Sequence, residues 1–511
     1  MVWLSLVLVK GPSVCRKPWT RDAYLPAVLL SLLLGSSPSL AQTDAFEADF
    51  AFQEPHPQGL EPADAGGDFL SGLSINGYLK NETAFRFDEP RSITKIRNIF
   101  YLDSEYRISS RSNFVFSGWA YYDLAYDLFD YKTISGRAVR DEDQPLVFVD
   151  NLRQEKDSPV ADIRELYLDF FTENMDIRIG KQFIVWGVLE GIRITDELNP
   201  LDFRELILPD LLDYRIPLWS LKMDYYFSTS SLELVWIPDI RFHKPAPQGS
   251  EWELLQRVPG TVEPDTYKLE NSELGFKYSS TLYDTEVSLS YFWTWDDFPV
   301  VFREIDLDSS QEPKFFPTYT RIQMFGATFV RQIGARILKG EIAYVPDKFF
   351  GLRNDVDRNN DRIVDSQGEL RKKHIRWGLG LDFNAWGADW SPAISQWIIL
   401  DYDNGLIQDE FDTSLTLFAR KPLPRHSAIF ELLAIALVNL EELYLNPELT
   451  FEVTDRFQIG TGLNLFFGNK SQFGVTPAGN VANLNTVEQR AQFFGNFNDN
   501  DRVYATFKYT F

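Results

Sequence analysis

Residues 374–384 read His-Ile-Arg-Trp-Gly-Leu-Gly-Leu-Asp-Phe-Asn, so apolar side chains at every second position alternate with polar residues or glycine. A period of two places the apolar side chains on one face of a β-strand. The segments 100–108, 176–185 and 457–465 alternate in the same way. A strand of about ten residues with one apolar face has the length and pattern of a membrane-crossing strand.

The composition separates a membrane barrel from a soluble β-protein. The chain holds 41 Phe, 22 Tyr and 13 Trp although its net charge is −24. A soluble sandwich would have to bury this aromatic surface in one core, whereas a transmembrane barrel presents it to lipid and in two rim girdles. Apart from the N-terminal segment, there is no apolar run long enough for a helical span. We therefore predict an all-β fold, a transmembrane antiparallel β-barrel.

The connections between alternating segments support the same fold. Short turns, as at 109–112, 173–174 and 454–456, alternate with long polar loops, as at 187–215 and 350–371. Short periplasmic turns and long extracellular loops are typical of such barrels. The count is about 18 strands. Sixteen is the alternative, because the connections near 88–93 and 438–443 are short where long ones are expected.

Both ends of the chain carry export features. Residues 1–41 have basic residues, an apolar run and Ser39-Leu40-Ala41, the pattern of a cleavable signal peptide. Residues 42–70 are acidic and contain three prolines; we expect a disordered periplasmic lead-in, with a small plug as the alternative. The barrel is then 71–511. Its last strand ends at Tyr509 and Phe511, which resembles the C-terminal signal read by the barrel-assembly machinery of Gram-negative outer membranes.

Charge and residue usage exclude several classes of function. Removing residues 1–41 lowers the net charge from −24 to −27 and removes Cys15, the only cysteine. Disulfides and thiolate sites are then excluded, and so acidic a surface repels nucleic acid. The four histidines are far apart and no G-x-S-x-G motif is present, so we expect no enzyme.

One motif resembles a known family. Gly180-Lys181-Gln182 is followed by Trp186-Gly187 and by Asn199-Pro200-Leu201-Asp202. This resembles the signature G-[KR]-Q…WG…NP-x-D of an uncharacterised, porin-like outer-membrane family classified as a domain of unknown function. The resemblance covers roughly residues 160–225; the rest of the chain matches in architecture. It implies passage of small molecules and names no solute.

The segment after Trp186 is unusual for a surface loop, because it combines many leucines with charges of both signs. We predict that it folds into the lumen and narrows the pore; the alternative is an outer lid packed on other loops. Its expected constriction residues are Arg193, Asp196, Glu197, Asp202, Arg204 and Glu205.

The predicted lumen wall carries nearly balanced charge. The polar faces of nine clearly phased strands hold nine acids and eight bases, which argues against a dedicated anion pore with a basic ring. The representative wall residues are Glu82, Asp103, Glu105, Arg107, Arg178 and Arg376.

Two functions remain open at this stage. A barrel of 16–18 strands leaves an aqueous lumen, so a diffusion channel for small solutes is the first hypothesis, with uptake of an apolar or sugar-like nutrient along wall aromatics such as Trp119 and Tyr121 as a variant. A non-transporting barrel that acts in surface binding or as a scaffold is the alternative. In both cases outer-membrane lipid and lipopolysaccharide surround the barrel.

No cofactor is expected except a structural calcium ion. Residues 355–365 place oxygen ligands at alternate positions, which resembles the spacing of calcium loops. Asn360 stands at the usual turn glycine and Ser366 at the usual final glutamate, so affinity should be low; an ordinary solvated acidic loop is the alternative. The expected ligands are Asp355, Asp357, Asn359, Asp361 and Asp365.

Calorimetric titration of the refolded barrel with calcium should show binding with a Kd of roughly 10⁻⁴ to 10⁻³ M, the weak range of extracellular modules. The double substitution Asp357→Ala with Asp361→Ala should abolish it, because it removes two carboxylates. Equal heats in both proteins, or none in either, would contradict the site.

Overall fold

The computed structural model describes residues 72–136, 160–209, 211–247, 249–253, 261–304, 314–352, 368–469 and 493–511. The predicted signal peptide, the predicted lead-in and the predicted calcium ligands lie outside these ranges. Within them, there is no group of three or more His, Cys, Asp or Glu residues that could hold a metal ion. Among the described residues there is also no helix long and apolar enough to cross a bilayer.

The described chain forms one antiparallel sheet of 18 strands and a separate two-stranded hairpin. The strands are numbered along the chain, and β10 and β11 form the hairpin. Their bounds are β1 (Leu73–Arg86), β2 (Ser92–Ser109), β3 (Ser112–Asp123), β4 (Val160–Phe171), β5 (Met175–Gln182), β6 (Leu218–Tyr226), β7 (Ser230–Ile237), β8 (Glu273–Leu282), β9 (Thr285–Trp295), β10 (Val300–Glu304), β11 (Lys314–Thr318), β12 (Arg321–Ile333), β13 (Arg336–Gly351), β14 (Glu369–Ala385), β15 (Ala388–Ile399), β16 (Phe411–Leu423), β17 (Ala428–Leu437), β18 (Glu442–Thr454), β19 (Phe457–Phe467) and β20 (Arg502–Thr510).

The sheet closes on itself. Strand β20 pairs antiparallel with β1 from Arg502↔Arg86 to Thr510↔Tyr78, and the backbones of Phe511 and Gly77 exchange two further hydrogen bonds. Closure satisfies the backbone groups that an open edge would leave exposed to lipid. The predicted all-β, 18-strand antiparallel barrel is confirmed.

Short and long connections alternate around the barrel, as the sequence indicates. At one end the turns are short, for example the two-residue turn Tyr283-Asp284, where both residues have positive φ. That conformation matches the twist of the flanking strands. At the other end the connections are long, with two short exceptions at residues 87–91 and 438–441. Both exceptions join strands at the end of the barrel that carries the long connections. The count is therefore 18 rather than 16.

The two faces of the wall differ in their chemistry. Large apolar side chains remain exposed on the outer face, where lipid replaces water. Examples are Ile75, Leu79, Phe100, Phe276, Leu289, Ile342 and Phe507. The inner face holds buried charged groups such as Glu341 and Arg376. This is the distribution of a porin-like outer-membrane barrel.

Strand β17 departs from this pattern, because it is apolar on both faces from Leu432 onward. Leu433, Ile435 and Leu437 pack against a cluster that includes Leu206 and Trp252, which belong to the loops after β5 and β7. These three side chains therefore face loops folded inside the barrel rather than water. Burial against the loops explains why polar residues are missing from the inner face of β17 beyond Glu431, which pairs with Arg420 on β16.

The terminal aromatic residue has a defined seat on the outer face. The Phe511 ring stacks with Phe100, with centroids 6.2 Å apart. A Cβ on Gly77 would lie 2.7 Å from the Phe511 Cζ atom, so glycine leaves room for the ring. The last residue of the predicted assembly signal thus covers the seam between the first and last strands.

Deleting Phe511 should lower the yield of folded barrel in the outer membrane without reducing secretion, because the seam loses its last hydrogen bonds and its ring contact. Heat-modifiable migration on gels measures this yield. Phe507→Ala, which removes an exposed aromatic from the same strand but leaves the terminus intact, is the matched control and should fold normally. Normal migration of the truncated protein would contradict the predicted signal.

Candidate functional site

The loop between β5 and β6, Phe183–Pro217, is called the inserted loop below. The sequence pattern alternates as far as Trp186, but the strand ends at Gln182. Ile184 and Trp186 leave the wall because their side chains are buried against the inner faces of other strands, where the Trp186 ring meets Phe292 at 6.0 Å between centroids. Tertiary contact therefore shortens β5 relative to its sequence pattern.

The first half of the inserted loop packs on the wall formed by β7, β9, β12 and β13. Its buried residues share one cluster with inward-facing apolar side chains of those strands. The loop contributes Ile184, Trp186, Leu189, Ile194 and Leu198, and the wall contributes Val235, Ile237, Phe292, Ile322, Met324, Ala343 and Val345. Full burial of one such side chain is worth about 1.5–3 kcal/mol, so this half of the loop is firmly held.

Glycines on the inner face make recesses for these side chains. A Cβ on Gly275 would lie 2.7 Å from the Trp186 ring, and a Cβ on Gly378 would lie 2.6 Å from Ile194 and 2.8 Å from Leu189. Neither position has room for a larger residue while the loop is seated. The glycines of the alternating pattern are therefore contact sites for the loop as well as members of the polar face.

A single carboxylate anchors the loop backbone. Glu341 on β13 accepts hydrogen bonds from the backbone N–H groups of Val188, Leu189 and Thr195 at 2.6, 2.7 and 3.0 Å, and from the Thr195 hydroxyl at 2.7 Å. Hydrogen bonds to a charged acceptor are worth about 1.5–3 kcal/mol each, and a buried carboxylate needs them. The wall and the loop thus satisfy each other's polar groups.

The second half of the loop reaches other parts of the wall. Glu205 pairs with Lys95 at 2.7 Å and with Arg97, both on β2, and Glu82 on β1 joins the same network. Leu206 packs with Tyr444 on β18 and Phe466 on β19. The inserted loop therefore contacts the wall near β2, from β7 to β14 and near β18.

Two adjoining cavities lie on the side of β1–β4 and are together called the passage below. Their volumes are about 70 Å³ and about 240 Å³, and both are lined by Trp119, Val160, Asp202 and Arg204. The smaller cavity adds Glu82, Lys95, Arg97, Tyr121, Asp123, Glu205, Asp213 and Tyr214. The larger cavity adds Ala161, Asp162, Arg164, Ile216 and Lys244.

The charges along the passage are mostly fixed by neighbours. Arg204 Nε donates to both Asp202 oxygens, at 2.7 and 2.9 Å. Burial alone would raise the pKa of Asp202, but its hydrogen bonds and ion pair with Arg204 outweigh burial and hold the pKa below its usual range. Asp202 is therefore an anion at neutral pH, and its charge is largely compensated by Arg204.

Comparisons with known proteins identify the family. The model of a family described as "Protein of unknown function (DUF1302)" matches residues 76–400. The chain belongs to this family. No curated protein matches the chain.

Solved structures with a similar architecture share little sequence with this family member. Acinetobacter baumannii OccAB2 has 10% identity and a TM-score of 0.48, over 87% of this chain and 99% of that chain. Pseudomonas aeruginosa OpdK with vanillate has 9% identity and a TM-score of 0.46, over 87% and 100%. OmpTdeltaL8, a loop-deletion mutant of the Vibrio cholerae outer membrane protein OmpT, has 9% identity and a TM-score of 0.35, over 86% and 99%.

The signature residues of this DUF1302 chain hold the two ends of the inserted loop together. Asn199 Oδ1 accepts from the Ile184 N–H at 2.8 Å, and its Nδ2 donates to the Ile216 carbonyl at 2.9 Å. The Pro200 carbonyl accepts from the Ile216 N–H. Asn199 thus joins the outgoing and returning segments of the loop.

The other signature residues serve the same turn. Gln182 is fully buried and donates to the Ser220 carbonyl. Trp186 donates its indole N–H to Glu233. Gly180 has a φ of 144°, and a Cβ there would lie 2.2 Å from the Leu166 carbonyl oxygen. Gly187 lies beside Asp196, where a Cβ would come within 3.0 Å of the Asp196 Cβ.

The structure places the predicted constriction residues in two environments. Asp202, Arg204 and Glu205 line the passage. Arg193 and Asp196 instead lie within the loop: Arg193 donates to the Asp196 and Asn199 carbonyls, and Asp196 pairs with Arg215. They hold the loop in shape and do not line the two cavities. Glu197 pairs with Arg376 on β14, away from the passage.

The strand register places the predicted wall residues on the inner face, because residues directly opposite each other share a face of the sheet. Glu82 lies opposite Arg97, for example, and Asp103 lies opposite Asn76. Only Glu82 lines the passage. Glu105 accepts from Asn113, and Arg178 pairs with Asp169. Arg107 lies opposite Asn113.

Several functional residues are absent from the sequence-based set. The alternating pattern gives Glu341 and Lys95 no special status, because their partners lie more than 100 residues away along the chain. Arg164 is hidden by a β-bulge: Ser117 pairs with Glu165 and Gly118 with Ile163. Arg164, which the strand register skips, turns inward over Trp119, 4.3 Å from its ring. A bulge that re-aims a side chain has no signature in simple alternation.

Gly378→Leu should unseat the inserted loop, because the new side chain would occupy the recess that holds Ile194 and Leu189. In an Ile194→Cys background, whose thiol is the only one in the predicted mature chain, maleimide labelling should become about tenfold faster, equivalent to about 1.4 kcal/mol in favour of the open loop. Gly460→Leu in the same Ile194→Cys background is the control. Gly460 lies on the inner face of β19 next to wall side chains and not next to the loop, so its replacement should leave the labelling slow. Equal rates would mean that the loop is not held by this recess.

Proposed function

We propose that this barrel is a diffusion channel for small solutes, and that the inserted loop narrows its lumen to an off-centre passage along β1–β4. The observation that carries the proposal is the set of wall contacts of the inserted loop, on β2, from β7 to β14 and on β18–β19. A barrel of 18 strands otherwise encloses an aqueous lumen.

The contents of the rest of the lumen support an off-centre passage. Phe494 and Phe497 from the loop before β20 and Trp252 from the loop before β8 join Leu206 and Tyr444 in one aromatic cluster. This cluster occupies the side of the barrel near β17–β19. Loops from three connections thus fill the lumen beside β17–β19 and from β7 to β14, and the two cavities lie along β1–β4.

The charges of the passage favour small polar solutes over large apolar ones. The smaller cavity is lined by five acids, Glu82, Asp123, Asp202, Glu205 and Asp213, and by three bases, Lys95, Arg97 and Arg204. Mixed charge keeps the passage hydrated, and the excess of acid favours cations modestly. The preference should weaken at high salt, since the Debye length is about 10 Å at 0.1 M and about 3 Å at 1 M.

Deleting residues 190–210 should raise the single-channel conductance in a planar bilayer severalfold, because the deletion removes the loop from the lumen. Glu205→Gln should give a smaller rise, since it releases the loop from Lys95 and Arg97 without shortening the chain. Glu263→Gln, which removes an exposed acid from the loop between β7 and β8, is the charge-matched control.

Unchanged conductance after the deletion would favour the outer-lid arrangement. If neither the intact barrel nor the deletion variant conducts, the channel proposal fails and the surface-binding or scaffold role takes its place.

A further inference from the structure

The wall of the barrel is interrupted beside β4. Strand β4 pairs with β5 only from Leu166↔Lys181 to Phe171↔Asp176. Above Leu166, Val160–Glu165 pairs with β3 on one side, and no described strand pairs with its other edge. The chain that would continue β5 has turned inward as the inserted loop. The space between Val160–Glu165 and the loop residues Ile216 and Lys244 is called the β4 opening.

Side chains rather than a strand bridge the β4 opening. Below it, Lys181 donates to the Ile163 carbonyl at 2.6 Å and to Asp162 at 3.0 Å. On its inner side, Arg164 donates to the backbone carbonyls of Asp213 and Arg215, at 3.3 and 2.8 Å. The bond from Lys181 satisfies a carbonyl of β4, and the bonds from Arg164 satisfy carbonyls of the inserted loop. The larger cavity, of about 240 Å³, lies between the two segments.

The β4 opening lies at the height of the membrane interface. In the register of β5 and β6, Lys181 is opposite Trp219, whose ring is exposed on the outer face. Trp236 on the neighbouring strand is exposed in the same way. Tryptophan and outward lysine side chains concentrate where hydrocarbon meets headgroups. A solute in the outer half of the membrane interface therefore lies level with this opening.

The lining combines an apolar surface with spare positive charge. Trp119, Val160, Ala161 and Ile216 are its apolar members. Its acids are already paired, Asp162 with Lys181 and Asp202 with Arg204. Lys244 is exposed, and among the described residues no hydrogen bond or close ion pair engages its ammonium. The acids that act on its charge, Asp202 and Asp162, already pair with Arg204 and Lys181. The cavity therefore offers a cation to an incoming anion beside a surface for an apolar body.

The cavity also joins the two faces of the wall. Ala161 lies opposite Ala120, which lies opposite the lipid-facing Phe100, so Ala161 belongs to the outer face. Trp119 and Asp202 line both this cavity and the smaller one inside the barrel. The β4 opening thus leads from the outer face into the passage.

We propose that the β4 opening is a lateral entrance for small amphipathic anions, which leave the membrane interface, place the charged group at Lys244 and continue along Arg204, Arg97 and Lys95, the bases of a passage whose preference for cations is only modest. This inference rests on the proposed channel function and adds to it a route and a solute class. An amphipathic anion concentrates at the interface, where its apolar part is in lipid and its charge in water. A purely hydrophilic solute has no reason to use this route and enters from the aqueous mouth.

The test compares two sulfonates that share a headgroup and stay ionised. Flux of decyl sulfonate and of methanesulfonate into proteoliposomes is measured together with potassium chloride conductance. Ala161→Cys provides the only thiol of the predicted mature chain, and a bulky maleimide attached there covers the opening. Ala436→Cys, on the lipid-facing side of β17 far from the opening, is the matched control.

Labelled Ala161→Cys should lose most of its decyl sulfonate flux and keep its methanesulfonate flux and conductance. Lys244→Gln, unlabelled, should lower decyl sulfonate flux severalfold with little change in conductance. Labelled Ala436→Cys should behave as the unmodified barrel. Absence of conductance in every sample would refute the channel itself. Intact conductance with equal effects of the label on both sulfonates, or with no decyl sulfonate flux before labelling, would overturn the lateral entrance alone.

Discussion

Every backbone N–H and C=O group within the hydrocarbon must find a partner inside the chain, because lipid offers none. This constraint requires the seam between β20 and β1, where Phe511 and Gly77 exchange hydrogen bonds at the last residue of the chain. It also sets the two faces of each strand, since a closed wall has one side in lipid and one side on the lumen. The alternation of apolar and polar residues at 374–384 follows from the same constraint, because one face of the strand lies in lipid and the other on the lumen.

Closure creates a lumen that the chain then fills from within. The inserted loop carries apolar side chains into recesses at Gly275 and Gly378, and Glu341 binds three of its backbone N–H groups. A segment with this many buried contacts belongs to the rigid part of the molecule. In the proposed channel, the seated loop would then set the position, width and charge of the passage.

Sending the loop inward has a cost for the wall. Strand β5 ends at Gln182, and β4 is left without a neighbour above Leu166. The side chains of Lys181 and Arg164 bridge the interruption, because each donates hydrogen bonds to main-chain carbonyls beside it. The Gly-Lys-Gln signature thus lies at the end of β5, where the chain leaves the wall. The Asn-Pro-x-Asp signature lies in the segment that bonds the returning chain just before β6. Loop insertion and the interruption of the wall are two consequences of the same turn.

The sequence by itself determined the fold class and the alternation of short and long connections, and it narrowed the strand number to 16 or 18, because period-two patterning and turn length are local properties that each strand carries alone. It also marked 187–215 as a loop too apolar for water. Tertiary structure alone decided which wall strands receive that loop, since Glu341 and Val188 are separated by 153 positions along the chain. It decided that Arg193 and Asp196 support the loop while Arg204 lines the passage, because burial depends on neighbours. The bulge at Arg164 and the free edge of β4 likewise follow from pairing between strands, which no single strand's pattern contains.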